Sequence, residues 1–208
     1  MKIWRNALLL LVVAGAAIPH SRHESEAFPV ITHTFRNGDL IFRKGTGIFS
    51  DFFTKAGDRE TPYSHVGLAF VDNGKVLVIH TEASELTGEG FAKIDRIEEF
   101  LDKRNSSQAA VYRLKNESRS YGENAVEAAI EYVNQKTPFD VKFDLTTENA
   151  LYCTELAYRA YKKAGLDITD KLDTISFRLA DGHQYQREVV SIRSILDSQL
   201  LTKMADLN

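Results

Sequence analysis

Two β-rich stretches, Ser64–Val71 (SHVGLAFV) and Lys75–Glu82 (KVLVIHTE), flank the turn sequence Asp72-Asn73-Gly74. Alternating positions of a strand share a face, so Val66, Leu68 and Phe70 predict a buried side for the first. Asn-Gly between two such runs predicts a hairpin. Asp39–Arg43 (DLIFR) after Asn37-Gly38 and Ala109–Leu114 (AAVYRL) read as further strands. Helical spacing replaces alternation at Ala125, Ala128, Ala129, Tyr132 and Val133, behind a capping box at Ser120-x-x-Glu123. A second helix is predicted over Tyr152–Ala164, with Leu156, Ala157, Ala160 and Tyr161 on one stripe and Gly165 as its stop. A short helix is expected near Ser191–Leu200. Strands and helices do not alternate as βαβ units, so the pattern predicts an α+β domain.

The hairpin carries polar groups among its apolar ones. With a two-residue loop at Asn73-Gly74, His65 lies opposite Glu82 and His80 faces Gly67. A four-residue loop would set His65 opposite His80 instead. In either register His65, His80 and Glu82 project from one side, with opposed Cβ atoms about 5 Å apart. A polar cluster on one sheet face is either simply solvated or a site.

The N-terminus departs from this patterning. Lys2 and Arg5 precede an unbroken apolar run, Ala7 to Ile18. That run is shorter than the ~20 residues of a membrane span and suits the core of a secretory signal. Ala14-Gly15-Ala16 and Ser25-Glu26-Ala27 both offer small-residue cleavage sites. The expected organisation is therefore a signal peptide, residues 1–27 (boundary 16 or 27), followed by one domain, 28–208. No cysteine follows the apolar run, so the expectation is export to the periplasm or medium without a lipoprotein anchor.

Composition adds exclusions. The 208 residues include 26 basic and 29 acidic ones, for a net charge of −3, which argues against general nucleic-acid binding. The chain has 1 cysteine, Cys153. A single thiol excludes an internal disulfide, a CxxC pair and a multi-cysteine zinc site, and structural cysteines of exported proteins come mostly in pairs. Cys153 is thus either a small buried apolar residue or a reactive one. It sits where a helix begins, and amides and dipole there favour an anion. With an imidazole nearby, its pKa is expected to fall below the usual ~8.5, and the same amides can donate to an oxyanion.

The stretches NGDLIFRKG, TPYSHVGLAF, VLVIHTEA, TPFDVKFDL and ENALYCTELAYRAY, spanning roughly residues 37 to 165, resemble the circularly permuted papain-like cysteine hydrolases. The resemblance is to their YiiX/YebB-type branch, within the NlpC-type peptidase superfamily and related to the lecithin retinol acyltransferases. It implies an antiparallel sheet or half-barrel carrying the histidine, followed by a helix carrying the nucleophile. It further implies that Cys153 is the nucleophile and His65 the general base. The orienting third position falls on His80, with Glu82 on the same face as the competitor. Asp39 and Asp140 match positions read as structural, and Tyr152 is a candidate for oxyanion support beside a packing role.

The implied activity is amide or ester cleavage through a Cys153 acyl-enzyme, without a cofactor. Export favours cell-wall peptides as substrate, with association to the cell envelope, whereas the branch suggests lipid or N-acyl substrates. The loop Gly45–Tyr63, with Ile48, Phe49, Phe52 and Phe53, is a weak candidate for an apolar rim. Two other classes compete: a catalytically silent lipid- or peptide-binding module, and a metal site built from His65, His80, Glu82 and Cys153. The latter lacks any local pair with zinc-motif spacing.

Overall fold

The Asn73-Gly74 turn takes the left-handed conformation at both residues, with φ of 48° and 79°, as the right-handed twist of a two-residue hairpin demands. It joins β2 (His65–Asp72) to β3 (Lys75–Ala83), in the register that pairs Asp72 with Lys75 and Leu68 with Ile79. The two-residue loop is therefore the one adopted. The structure is a computed structural model, and it describes residues 34–46, 61–84, 87–115, 119–178 and 182–207. The apolar N-terminal run and Ile48, Phe49, Phe52 and Phe53 of the Gly45–Tyr63 loop lie outside those residues.

The strands of the main sheet are β1 (Leu40–Lys44), β2, β3, β4 (Gly90–Arg96), β5 (Gln108–Leu114) and β8 (Leu201–Asp206). They form a six-stranded sheet in the order β4-β3-β2-β1-β5-β8, antiparallel throughout. A separate hairpin pairs β6 (Asp173–Arg178) with β7 (Gln184–Val189). The helices are α1 (Ile97–Phe100), α2 (Arg119–Asn134), α3 (Cys153–Lys163) and α4 (Ile192–Leu196). The α2 helix starts one residue ahead of Ser120, which places that serine inside the first turn rather than at the expected cap. The α4 helix is capped by Ser191, whose hydroxyl accepts the Ser194 N–H at 2.9 Å.

Both faces of the central strands are buried. Leu40, Phe42, Val66, Leu68 and Ile79 pack against Ala125, Ala129, Leu156, Ala157 and Ala160 of α2 and α3. On the reverse side Ile41, Ala69, Val78, Ala109 and Val111 meet Ile97, Phe100 and Leu101 of the α1 turn, together with Phe35 and Leu207. The apolar stripes read from the sequence account for the first layer. The second layer covers the face that bears the polar trio, so His65 and His80 are not solvated. His80 is 0% exposed and His65 8%.

The sheet also sets where the site falls. The β2–β3 ladder ends at Leu68 and Ile79, while β3 continues on β4 as far as Ala83 and Gly90. The two strands thus part at the end where β2 begins. Away from that end, Asp39 is buried in an ion pair with Arg113, accepting from its Nε and Nη2 at 2.7 Å each, and ties β1 to β5.

Candidate active site

Cys153 is the first residue of α3, with Tyr152 as N-cap. The helix forms there because Leu156, Ala157, Ala160 and Tyr161 recur on the stripe that packs under the sheet. Its start is held by Glu155, whose Oε2 accepts the Tyr152 N–H at 3.4 Å. The thiol is 3% exposed. The backbone N–H groups of Val66, Thr154 and Cys153 itself lie near it and favour its ionised form. Val66 lies one step beyond His65 and two short of the last β2–β3 pair, so the freed end of β2 is what meets the start of α3.

These amides pull the thiol pKa down, but burial is the larger effect and pushes it up to about 11. The lowered pKa expected at a helix start is not what the folded chain has. Helix amides and dipole are present, yet a thiolate enclosed by protein loses more hydration than three amides return. At neutral pH the resting group is a thiol.

His65 opens β2, and its Nε2 lies 2.9 Å from Nδ1 of His80 on β3. His80 Nε2 is in turn 2.9 Å from Oδ2 of Asp95 on β4. The three strands thus present a chain of polar groups in register, since β4 pairs Lys93 with His80 and Asp95 with Val78. Phe100 of α1 closes over both rings, at centroid distances of 5.6 Å from His65 and 4.9 Å from His80. Burial holds the His65 pKa well below the usual imidazole value, and the cations Arg43 and Lys93 and the His80 ring lower it further. His80 is also lowered by burial, opposed by Asp95 and Glu82. Asp95 is held far below the carboxylate range, first by His80 and also by Lys93, whose Nζ is 2.9 Å from Oδ2. Two neutral imidazoles beside an ionised carboxylate is the resting state near pH 7.

His80, rather than Glu82, is the side chain in contact with His65. Glu82 pairs with Arg43 and, at 3.6 Å, with Lys93. The Arg43 guanidinium lies 4.5 Å over the Phe100 ring and donates Nη1 to the Phe100 carbonyl at 2.7 Å. Tyr152 turns its ring into a small apolar cluster with Phe143, Ile175 and Val189. Its hydroxyl accepts the Val190 N–H at 3.0 Å, which commits that oxygen away from the thiol. Asp140 accepts the amides of Lys142 and Asp144 at 2.8 and 2.7 Å, folding the turn that precedes Cys153. Beside Cys153 a cleft of about 20 Å³ is lined by Phe143, Tyr152, Ile175, Val189 and Val190.

Sequence patterning does not single out Asp95. Its place behind His80 depends on the β3–β4 register, and the intervening connection has no turn signal comparable to Asn-Gly. The alternation of Ala92 and Ile94 with Lys93 and Asp95 is the one cue to it.

A cysteine at a helix start, following in sequence strands that bear two buried histidines, is the arrangement of a permuted papain-like cysteine hydrolase. The sequence model described as "Permuted papain-like amidase enzyme, YaeF/YiiX, C92 family" matches residues 34–205, and the chain belongs to that family. Among solved structures it is similar to one described as metalloprotein yiiX from Escherichia coli O157:H7. The TM-score is 0.62 and the identity 18%, over 82% of this chain and 96% of the other, which supports the fold. Comparison with curated proteins gives no match.

The description of that neighbour as a metalloprotein raises the question whether these residues suit a metal. His65 and His80 spend ring nitrogens on each other and on Asp95, and Glu82 is spent on Arg43. Among the described residues no group of three or more His, Cys, Asp or Glu side chains could hold a metal ion. The donor set does not fit one.

Proposed function

We propose that this chain is an exported cysteine hydrolase that cleaves amide or ester bonds of N-acyl, lipid or cell-wall peptide substrates through an acyl-enzyme on Cys153. The observation that carries the reading is the junction at the start of β2, where the Val66 amide lies near enough to favour the thiolate and the preceding residue is His65 in contact with His80. His65 Nε2 is committed to His80, which leaves Nδ1 to take the proton. Because the resting pair is neutral, that proton leaves the thiol as sulfur attacks the carbonyl carbon. The carbonyl oxygen gains charge near the first amides of α3, which donate to it. His65 then returns the proton to the leaving amine or alcohol, and water releases the acyl group.

Lys2 and Arg5 ahead of the apolar run Ala7–Ile18 support export. Two measurements test the reading. Wild-type and Cys153→Ala protein are incubated with acyl esters, N-acyl amino acids and muropeptides, and the protein is weighed by mass spectrometry. The expected result is an acyl adduct on Cys153 with product release, both lost in the variant. Retention of ligand without turnover, unchanged by Cys153→Ala, would replace the enzyme with a binding module. N-terminal sequencing of protein recovered outside the cytoplasm is expected to begin at Ala17 or Phe28.

A further inference from the structure

We propose that Asp95 is a positioning residue which fixes the proton arrangement of the His65–His80 pair and so decides which nitrogen of His65 serves as base. This inference rests on the hydrolase reading and adds a residue to its machinery.

An ionised carboxylate only accepts hydrogen bonds. Asp95 Oδ2 lies 2.9 Å from His80 Nε2, so that nitrogen carries the hydrogen. A neutral imidazole has a single N–H, which leaves His80 Nδ1 with a lone pair. His65 Nε2, 2.9 Å away, must then be the donor. His65 Nδ1 is consequently left as a lone pair, the one nitrogen able to receive a proton from the thiol. With the chain reversed, His65 would carry its hydrogen on Nδ1 and could take nothing from Cys153. A carboxylate two links from the base therefore selects the working tautomer.

The same chain gives the proton somewhere to go. As the carbon–sulfur bond forms, the thiol proton passes to His65 Nδ1. The hydrogen on His65 Nε2 shifts to His80 Nδ1, and the positive charge settles on the ring that touches Asp95. Protonation of the leaving group reverses both transfers, so no proton is gained or lost. The surroundings favour His80 for this charge. It is faced by Asp95 and Lys93 from β4, by Glu82 of its own strand, by Arg43 from β1 and by His65 from β2. His65 is faced by Arg43, His80 and Lys93, and among the described residues no carboxylate raises its pKa.

The test needs no substrate. In the full chain, ¹⁵N-histidine NMR at pH 7 is expected to show His65 and His80 both protonated on Nε2. Iodoacetamide labelling of Cys153 against pH is then compared among wild type, Asp95→Asn and Asp95→Glu. Asparagine offers either an oxygen or an N–H₂ to His80, so both tautomers become accessible. The expected result is mixed tautomers, labelling at pH 7 slowed about 10- to 100-fold, and a pH profile moved upward, with Asp95→Glu recovering most of the rate. A packing role alone would lower stability without moving tautomers or profile.

An Asp95→Asn protein with wild-type tautomers and an unchanged labelling profile overturns the proposal. So does wild-type protein with the His65 hydrogen on Nδ1, a result that stands even if the asparagine variant does not fold. Failure here is separable from failure of the hydrolase reading. Turnover that depends on Cys153 but ignores Asp95 sinks only this inference, whereas ordered tautomers without turnover of any acyl compound sink only the other.

Discussion

A Cβ added at Gly67 would stand 2.4 Å from Cγ1 of Val78 and 3.2 Å from the Cβ of His80. Neither neighbour has room to retreat, because Val78 and His80 are both 0% exposed and His80 is fixed at both nitrogens. Gly67 is thus required by the ring opposite it, not by its backbone angles. Overpacking a filled core costs about 1–3 kcal/mol, so Gly67→Ala is expected to lower the urea midpoint by a corresponding amount. The displacement falls on His80, and Cys153 labelling at neutral pH is expected to slow with it. Wild-type labelling in a destabilised variant would separate His80 from the thiol's reactivity. That Gly67 faces His80 was one of the two registers open in the sequence, the one that a two-residue loop at Asn73-Gly74 gives. That the face they share is covered was not legible there, because its cover comes from Ile97 and Phe100 on a helix of 4 residues and from Leu101, which caps it, a segment too short to show a period.

At the scale of elements, α3 and the segment after β7 are clamped around Cys153. Tyr152 and Thr154 flank Cys153, and both reach Val190: the tyrosine oxygen accepts its N–H at 3.0 Å, and the threonine hydroxyl donates to its carbonyl at 2.5 Å. Val190 is 1% exposed, so its amide has no alternative in water. Tyr152→Phe would leave that N–H buried and unpaired, at a cost of about 1–3 kcal/mol. For a chain of this size the melting temperature is expected to fall by roughly 2–4 °C per kcal/mol. Amide exchange should quicken first in β7 and at Val190, and unchanged protection there would refute the clamp. The sequence shows α3 plainly, through its stripe and Gly165. It does not show the β6–β7 hairpin, where apolar Ile175 and Phe177 are set among Asp173, Thr174, Ser176 and Arg178. Alternation is present there, but a hairpin packed on a neighbouring loop needs only a narrow apolar strip, and polar residues outnumber it.

Over the whole molecule, the buried ionisable groups act in opposite directions on stability as the solution is acidified. His65 and His80 are neutral when folded, with pKa values below the unfolded ~6.5. Below that pH the unfolded chain binds protons that the folded chain refuses, so stability falls with decreasing pH. Glu155 does the reverse. Burial raises its pKa to about 7, against the pull of Arg159, whose Nε is 2.7 Å from Oε1. Between about 7 and the unfolded ~4.3 the folded chain holds a proton that the unfolded chain releases. Stability therefore rises on that account as pH falls through the same interval. Between about pH 6.5 and 4.5 the single glutamate offsets only part of what the two histidines lose, so the wild-type curve is expected to fall there less steeply than the histidines alone would make it. Below about pH 4.3 the glutamate has nothing more to contribute, while Asp95, held far down by His80, begins to lose its own share. Glu155→Gln removes the opposing contribution and leaves the histidines uncovered. Urea unfolding of the variant at pH 7 and pH 5 is expected to show a loss on acidification larger than that of the wild type. The difference is on the order of 1–2 kcal/mol, since a tenfold change in proton affinity is worth about 1.4 kcal/mol. Parallel slopes for the two proteins would mean that Glu155 is ionised in the folded state, its charge fully met by Arg159 and the Tyr152 amide at the start of the nucleophile's helix.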